Sequence, residues 1–243
     1  MVNSILSDEK VLSIDIGGSR IKATVLDMDG KMIMEYQRLD TPFPADPENV
    51  LKTIMQLTKL FKSYTKVSVG FPGYVRKGTV HTAPNLDNEK CKGFDLRQKL
   101  TELLKQEVQV VNDADLHGLG IASGTGLEMV ITLGTGVGTA LLVDGNLLPH
   151  FEIAHHPLSK DRDYDQYIGN KALGEAGVEK WNKRLKKVLT VLKTVFNYDH
   201  LYISGGNAKR INFELDDNIS VATNLEGIRG GAKLWKKENV YSI

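Results

Sequence analysis

The sequence predicts an α/β protein built from two similar lobes around a central cleft. The first observation is that short β-branched and aliphatic runs alternate with longer runs of helical period, as in α/β proteins. The second is a repeated unit of strand, glycine turn, strand, Asp-Gly turn and strand, which occurs first around Gly17 and again around Gly134. Because helices follow each copy, the repetition predicts two lobes of one topology.

The first copy opens the chain and predicts three antiparallel strands joined by tight turns. Gly17-Gly18 and Asp29-Gly30 separate these strands, and Asp-Gly between apolar runs is a strong hairpin signal. Prolines interrupt regular structure until Pro47, which favours the first turn of a helix. The expected elements are strands at residues 11–16, 21–27, 32–38, 66–70 and 108–111, and helices from residue 46 onward and at 95–106.

The second copy begins near residue 128, and a long amphipathic helix follows it. The expected elements are strands at residues 128–133, 138–143, 147–148, 201–204 and 219–222, and helices at 114–122, 178–196 and 225–235. We expect the lobe boundary near Asn112, with a small N-terminal lobe at 1–112 and a larger lobe at 113–224. The last segment, 225–243, is expected to pack on the first lobe.

Charge and cysteine content exclude several classes of protein. The chain has 31 basic and 30 acidic residues and a formal net charge of +1, which argues against a basic nucleic-acid-binding surface. The single cysteine, Cys91, excludes an internal disulfide framework, and its polar surroundings predict a plain loop thiol. We expect no signal peptide and no membrane span, and therefore a cytoplasmic protein with no nucleic-acid or membrane partner.

The first glycine turn is a candidate phosphate site. Gly17 and Gly18 let the backbone approach a polyanion, Ser19 adds a hydroxyl donor and Lys22 a positive charge. Asp15, at the end of the preceding strand, is a candidate to hold Mg²⁺ through water. The alternative is a plain hairpin turn capped by an aspartate.

The second glycine turn repeats this pattern at Gly134, Thr135 and Gly136, with a further glycine at 138. Glycine weakens a strand, so this spacing favours a backbone that a phosphate approaches. No Gly-Lys-Ser/Thr ending follows, and a strand rather than a helix comes next, which excludes a P-loop and a dinucleotide fingerprint. Two such turns predict a bound phosphoryl donor more strongly than either turn alone.

Acidic residues follow a buried strand at Asn112-Asp113-Ala114-Asp115. Phosphoryl transfer to an alcohol needs a base within hydrogen-bond reach of the hydroxyl, and Asp113 suits that role. The alternative is a helix cap, for which one such residue would be enough.

Two later motifs add polar groups. Glu152 and His155, three residues apart, can face one side and bind hydroxyls, whereas a zinc site at the adjacent histidines would lack cysteine partners. Gly205 and Gly206 follow an expected strand and either border a nucleotide or only begin a helix.

With these motifs in place, the chain resembles the ROK family of sugar kinases in the actin/hexokinase superfamily, and within it the polyphosphate glucokinase branch. The matching stretches keep the family order from residue 11 to 235, and they include Ile14-Asp15-Ile16-Gly17-Gly18-Ser19, Phe71-Pro72-Gly73, Ala83-Pro84-Asn85-Leu86, Asn112-Asp113-Ala114-Asp115, Leu133-Gly134-Thr135-Gly136, Glu152 with His155, and Ser204-Gly205-Gly206. The resemblance implies two ribonuclease-H-like lobes, as in actin-like ATPases, and a homodimer.

The resemblance also implies roles for these residues. Asp113 would be the general base toward the sugar 6-hydroxyl. The sugar hydroxyls would be held by Asn85, Asn112, Glu152 and His155. The donor, polyphosphate or ATP with Mg²⁺, would be cradled by Gly17, Gly18, Ser19, Lys22, Gly134, Thr135 and Gly136, with Gly205 and Gly206 bordering adenosine.

The chain departs from the family pattern at a few positions. The zinc-binding cysteine cluster of many members is absent, so no structural zinc is expected. Asp165 stands in place of a glutamate that contacts the anomeric side of the sugar, and its shorter side chain would loosen selectivity for glucose. Ala154 replaces the usual glycine before His155, and His117-Gly118 replaces Ala-Gly.

The leading hypothesis is a sugar kinase of the glucokinase type. Its alternatives are a kinase for mannose or an amino sugar, including N-acetylated ones, and a non-catalytic sugar sensor. The donor stays open between ATP and polyphosphate. A polyphosphate groove would draw on Lys186, Lys187, Lys193, Lys209 and Arg210, although such charges also occur on a solvated helix face.

Overall fold

A computed structural model describes residues 9–236 of the chain, apart from the side chain of Asn224. These residues form two compact units. Unit 1 contains residues 9–113 and 228–236, and unit 2 contains residues 114–227. The predicted α/β class is confirmed. Residues 1–8, and residues 237–243 of the C-terminal segment expected on the first lobe, lie outside the described range.

Most of the elements of unit 1 precede residue 113. The strands are β1 (Val11–Ile16), β2 (Arg20–Leu26), β3 (Gln37–Asp40), β4 (Lys66–Phe71), β5 (Val75–Arg76), β6 (Thr79–Val80) and β7 (Glu107–Asn112). The helices are α1 (Pro47–Thr58), α2 (Asn88–Cys91) and α3 (Leu96–Leu104).

The remaining elements follow in the second half of the chain. The strands are β8 (Leu127–Leu133), β9 (Val137–Val143), β10 (Asn146–Leu147), β11 (Pro157–Ser159), β12 (Arg162–Asp163), β13 (His200–Ser204) and β14 (Ile219–Val221). The helices are α4 (Asp113–Ile121), α5 (Tyr164–Ile168), α6 (Asn170–Ala176), α7 (Val178–Phe196), α8 (Asn224–Ile228) and α9 (Gly230–Lys233), with 3₁₀ turns at Ile153–His155 and Ala208–Arg210.

The main sheet of unit 1 has the strand order β3-β2-β1-β4-β7. β1, β2 and β3 pair antiparallel, whereas β4 and β7 run parallel to β1. Every residue of β1 is buried, and apolar residues of α1 and α3 complete the core around it. Because β1, β4 and β7 are parallel, the turn after β1 and Asp113 after β7 follow the same edge of this sheet.

The chain returns to unit 1 at its C-terminal end, where α9 packs on β1 and β4. Two buried serines of these strands bind its backbone: Ser13 donates to the carbonyl oxygen of Ile228 at 2.7 Å and Ser68 to that of Gly231 at 2.6 Å. A Cβ on Gly231 would lie 2.3 Å from the Ser13 hydroxyl. The close approach of α9 therefore requires glycine at this position.

The main sheet of unit 2 has the strand order β10-β9-β8-β13-β14. β8, β9 and β10 are antiparallel, and β13 and β14 run parallel to β8. Its core includes the apolar face of α7, where the buried Trp181 donates its indole N–H to the carbonyl oxygen of Ile168 at 2.8 Å. Each unit thus places a glycine turn between the first two strands of a sheet with the same strand arrangement.

Three local predictions are wrong. The expected strand 32–38 is reduced to one bridge at Met32 and the short β3, because the Thr24 hydroxyl, rather than the sheet backbone, binds the Met34 carbonyl oxygen. The expected helix 225–235 is two short helices, since glycine has low helix propensity and the segment holds several glycines. Cys91 lies buried in α2 instead of a loop, and burial raises the pKa of its thiol to about 11.

Candidate active site

The first glycine turn connects β1 to β2 and is braced by Thr41. The Gly17 amide donates to the Arg20 carbonyl oxygen at 2.9 Å. The Thr41 hydroxyl donates to the Gly17 carbonyl oxygen at 2.6 Å, and its amide donates to the Ser19 carbonyl oxygen at 3.0 Å. Gly18 and Ser19 are exposed. Thr41 therefore fixes the shape of a turn whose other side is open to a ligand.

Asn85 lies directly against this turn. A Cβ on Gly18 would be 3.1 Å from the Asn85 Cβ, which is closer than most contacts between side chains. The structure thus brings together, within unit 1, a residue predicted to bind the sugar and a turn predicted to bind the donor.

Asp15 and Lys22 form an ion pair beside the turn. They face each other across β1 and β2, and the Lys22 ammonium lies 2.9 Å from Oδ2 of Asp15, which is only 5% exposed. Burial opposes the charge on Lys22, but the charge and hydrogen bond of Asp15 outweigh it, with a smaller contribution from Asp113, and the pKa of Lys22 is raised. Lys22 therefore stays protonated and holds the Asp15 carboxylate.

Asn112 and Asp113 stand where β7 passes into α4. The buried Asn112 amide donates to the Gly73 carbonyl oxygen at 3.0 Å and so fastens the turn after β4. Asp113 is half-buried and is the first residue of α4. The charge of Asp113 contributes to the raised pKa of Lys22. Within unit 1, the proposed base therefore interacts electrostatically with the lysine beside the first glycine turn.

The second glycine turn is held by Asp165. The Gly134 amide donates to the Gly136 carbonyl oxygen at 2.9 Å, and the Val137 amide donates to Oδ1 of Asp165 on α5. A Cβ on Gly136 would lie 2.9 Å from Oδ2 of Asp165. The pKa of Asp165 is raised, because the effect of burial is larger than the lowering caused by the hydrogen bond from Val137. Asp165 therefore braces the turn, in addition to its predicted contact with the sugar.

Asn207 braces the same turn from the end of β13. The backbone amide of Asn207 donates to the Leu133 carbonyl oxygen at 3.0 Å, and its side-chain amide donates to the Gly134 carbonyl oxygen at 3.2 Å. Gly205 has a φ of +95°, and a Cβ there would lie 2.3 Å from the Leu133 carbonyl oxygen. Gly205 is thus required by the local packing, whereas a Cβ on Gly206 would meet nothing within 4 Å.

Histidines and carboxylates alternate in a chain of contacts within unit 2. His150 Nδ1 lies 2.9 Å from Asp115, and its Nε2 lies 3.6 Å from Glu152. His155 in turn lies 3.7 Å from Glu152 and 3.9 Å from Asp163. The two residues predicted to hold sugar hydroxyls, Glu152 and His155, are therefore adjacent and belong to a larger polar cluster.

The charges of this cluster are set by His150. Burial alone would lower its pKa, but the hydrogen bonds and charges of Asp115 and Glu152 outweigh burial and raise the pKa to about 10. Burial opposes the charge of Glu152 as well, yet His150 lowers its pKa. At neutral pH an imidazolium therefore holds the Glu152 carboxylate in its charged form.

The predicted site residues fall into one group in each unit. Unit 1 holds Asp15, Gly17, Gly18, Ser19, Lys22, Asn85, Asn112 and Asp113, and unit 2 holds Gly134, Thr135, Gly136, Glu152, His155, Asp165, Gly205 and Gly206. Sequence reasoning missed Thr41, Asp115, His150 and Asn207 as parts of these groups. Asp115 occurs in the stretch Asn112-Asp113-Ala114-Asp115 that resembles the family, whereas nothing in the local pattern marks His150.

Residues 9–236 lack two features that would point to other kinds of site or protein. They contain no group of three or more histidine, cysteine or acidic side chains placed to hold a metal ion. None of the helices in this range is both long enough and apolar enough to cross a bilayer.

Together, the repeated sheet and the paired glycine turns define a protein with the actin-like, ribonuclease-H-like fold. The ROK family model matches residues 11–156, and the chain belongs to the ROK family. The predicted resemblance is confirmed.

Individual relatives are consistent with this family. The polyphosphate glucokinase of Mycobacterium tuberculosis (strain CDC 1551 / Oshkosh) is 34% identical over 206 residues, which are 81% of this chain and 77% of that protein. The polyphosphate glucokinase of Mycobacterium leprae (strain TN) is 34% identical over 213 residues, which are 84% of this chain and 65% of that protein, just under two thirds of its length.

A solved structure shows the same fold. The inorganic polyphosphate/ATP-glucomannokinase from Arthrobacter sp. strain KM superposes with a TM-score of 0.84 and 31% identity, covering 93% of this chain and 98% of that one. The names of these relatives agree with the predicted enzyme class, a sugar kinase.

Proposed function

We propose that the chain is a sugar kinase of the glucokinase type, which transfers the terminal phosphoryl group of polyphosphate or ATP to the 6-hydroxyl of glucose. The observation that carries the proposal is the repeated glycine turn at the same place in two sheets of one strand order. Each turn is braced from the protein side by side chains, Thr41 in unit 1 and Asp165 with Asn207 in unit 2. Their remaining backbone N–H groups are suited to phosphate oxygens.

The proposed chemistry needs one proton acceptor and a set of positive groups. The Asp113 carboxylate takes the proton of the sugar 6-hydroxyl while the oxygen of that hydroxyl forms the new bond to phosphorus. The bond from that phosphorus to the bridging oxygen breaks, and the shortened donor leaves with the electron pair. Lys22 supplies charge beside the first turn, while Glu152 and His155 accept and donate hydrogen bonds to the sugar.

Mg²⁺ is part of this proposal, and Asp15 fits a water-mediated role. One carboxylate oxygen of Asp15 already binds Lys22 at 2.9 Å, which disfavours direct coordination through that oxygen. Mg²⁺ commonly retains several waters and is held by one or two carboxylates together with substrate phosphates, so it needs no larger cluster of protein ligands. When bound, it would neutralise charge on the transferred phosphoryl group.

A second sugar is supported by a specific observation. The Arthrobacter neighbour is named a glucomannokinase, and Asp165 is turned toward the backbone of the second glycine turn by its bond to Val137. Because Asp165 is held by the Val137 amide, it makes fewer contacts with the sugar, and fewer contacts distinguish one hexose epimer from another. We therefore propose mannose as a second acceptor, to be compared with glucose and with N-acetylated amino sugars in one assay.

The test of the proposed base is Asp113→Asn. Formation of the sugar 6-phosphate is measured with ATP and, separately, with polyphosphate. We expect kcat to fall about 10²–10⁴-fold, because the amide cannot accept the proton. Glucose binding measured by calorimetry should change little, since the amide keeps the size of the side chain and one oxygen that can accept a hydrogen bond from the 6-hydroxyl.

Two outcomes would contradict the proposal. Near wild-type turnover in Asp113→Asn would remove Asp113 as the base. Glucose binding by the wild-type protein without turnover on either donor would favour the non-catalytic sensor. A homodimer and a cytoplasmic location are proposals on the same family basis, and sedimentation analysis of the purified chain tests the first of them.

A further inference from the structure

A basic pocket lies in unit 2 where the start of α7 meets α5 and the β11-β12 hairpin. Its volume is about 430 Å³, and it is lined by Ser159, Arg162, Tyr167, Lys180, Lys183 and Arg184. Four of these six residues are cations, and none is acidic. It contains none of the residues assigned to the donor, the sugar or the base.

The four cations have no carboxylate partner in the part of the chain that the structure describes. Within residues 9–236, none of Arg162, Lys180, Lys183 and Arg184 forms an ion pair. By contrast Lys193, near the other end of α7, lies 2.9 Å from Asp216. Positive charges gathered in a concave site without counter-charges attract anions from solution.

The α7 helix adds to the same positive potential. Lys180 is in the first turn of this 19-residue helix, and Lys183 and Arg184 are in the second. Cations near a helix N-terminus are unfavourable, because they meet the positive end of the helix dipole. A bound anion would relieve both this conflict and the repulsion between the side chains.

One cation is already held in position. The half-buried Arg184 donates to the Tyr167 carbonyl oxygen at 3.3 Å, and its guanidinium lies 5.1 Å from the centre of the Tyr167 ring. The Lys187 ammonium lies 5.9 Å from the same ring centre. Because Arg184 is oriented before any ligand binds, less side-chain entropy is lost when it binds a phosphate.

The pocket shares α5 with the second glycine turn. Tyr167 lines the pocket, and Asp165, two residues earlier on the same helix, binds the Val137 amide of the turn. We propose that this pocket binds inorganic polyphosphate at phosphates remote from the one transferred, an inference that rests on the proposed function. A long chain with a charge on every phosphate can occupy a second cationic site, whereas ATP carries only three phosphates.

The test compares Lys180→Ala/Lys183→Ala with the control Lys52→Ala/Lys99→Ala. Both pairs remove two exposed helix lysines, and the control pair lies on α1 and α3. We expect KM for long-chain polyphosphate to rise about tenfold or more in the pocket variant, with a weaker salt dependence. KM for tripolyphosphate, ATP and glucose should stay within about twofold of wild type in both variants.

A second measurement separates binding from turnover and from folding. Fluorescently labelled long-chain polyphosphate is titrated with each protein, and its anisotropy is followed. The pocket variant should bind about tenfold more weakly than the control. Its Tm should be equal to or above that of wild type, because a cation is removed from the first turn of α7.

The outcomes distinguish the pocket from the proposed function. If the wild type uses polyphosphate and the pocket variant shows an unchanged KM and unchanged binding, the pocket proposal is wrong and the kinase function stands. If no donor is used but the pocket variant binds labelled polyphosphate more weakly, the function fails and the pocket proposal holds. Equal binding of single-stranded DNA of the same charge would overturn the assignment to polyphosphate.

Discussion

At the residue scale, His150 shows how a buried charge organises polar groups that sequence motifs only partly reveal. Its side chain is 6% exposed and lies between the carboxylates of Asp115 and Glu152. Neither residue type nor spacing suggests this contact, because Asp115 is on α4 and His150 follows β10. Because His150 contacts the Glu152 carboxylate, we treat it as a positioning residue that orients Glu152.

The variant His150→Gln keeps a polar side chain but removes the charge. We expect KM for glucose to rise several-fold while kcat changes less, because Glu152 loses the imidazolium of His150 and keeps its contact with His155. Steady-state kinetics at pH 7 measure this separation. His156→Gln is the matched control, since His156 is exposed and lies outside the contacts of His150.

The same substitution predicts a pH dependence of stability. The pKa of His150 is raised from 6.5 to about 10, so its contribution to the free energy of unfolding is fully present below pH 6.5 and is lost as pH rises toward 10. Urea unfolding should show a wild-type advantage over His150→Gln of about 1–3 kcal/mol at pH 7. An advantage that is unchanged at pH 10 would contradict this charge state.

At the residue level, the sequence patterns led to features whose place in the fold is local, namely turns between adjacent strands and the residue after β7. Glycine turns and an acid after a strand are visible in the sequence, and they lead to Gly17, Gly136 and Asp113. The braces of those turns were missed, because Thr41 and Asn207 bind carbonyl oxygens at distant positions in the chain. Such pairings depend on how strands are placed next to one another, which no local pattern specifies.

At the element scale, the second glycine turn contains two glycines with different constraints. A Cβ on Gly136 would press against the Asp165 carboxylate, whereas a Cβ on Gly134 would meet nothing within 4 Å. We expect Gly136→Ala to lower the free energy of unfolding by about 1–3 kcal/mol, by overpacking and by displacing Asp165 from the Val137 amide. Urea unfolding measures this loss.

Gly134→Ala serves as the paired variant. Its stability should stay within about 0.5–1 kcal/mol of wild type, because the new methyl group meets no protein atom. The methyl group would still stand on the backbone that the donor phosphates are proposed to approach, so KM for the donor should rise. Unchanged donor kinetics in Gly134→Ala would argue against phosphate binding at this turn.

Elements with strong periodicity were predicted well. The bounds of α7, Val178–Phe196, agree with the expected range 178–196, because its apolar face continues unbroken along the helix. The third strand and the C-terminal helix were predicted poorly. The third strand is shortened where the Thr24 hydroxyl on β2 binds the Met34 carbonyl oxygen, and the C-terminal helix is divided in a segment that holds several glycines.

At the scale of the whole molecule, unit 1 is discontinuous in sequence, because residues 228–236 complete it. The junction depends on Gly231, whose absent side chain leaves room for Ser13 and Ser68. We expect Gly231→Ala to destabilise the protein by about 1–3 kcal/mol or more, since the neighbouring atoms belong to the centre of a sheet. The midpoint of urea unfolding measures this effect.

Gly174→Ala is the control for that substitution. Gly174 lies in α6, and a Cβ there would meet nothing within 4 Å. Alanine is favoured over glycine in a helix, so this variant should be as stable as wild type or more stable by up to about 1 kcal/mol. If both variants lost the same stability, the close approach of α9 would not be the cause.

The return of residues 228–236 to unit 1 also bears on the order of events during synthesis. A ribosome releases β1 and β4 long before it makes Ile228 and Gly231, whose carbonyl oxygens bind the buried hydroxyls of Ser13 and Ser68. Unit 2 is encoded wholly between these partners, so it can fold while unit 1 still lacks the segment that covers two of its strands. Nascent chains stalled before residue 228 are therefore expected to be digested by protease first within β1 and β4.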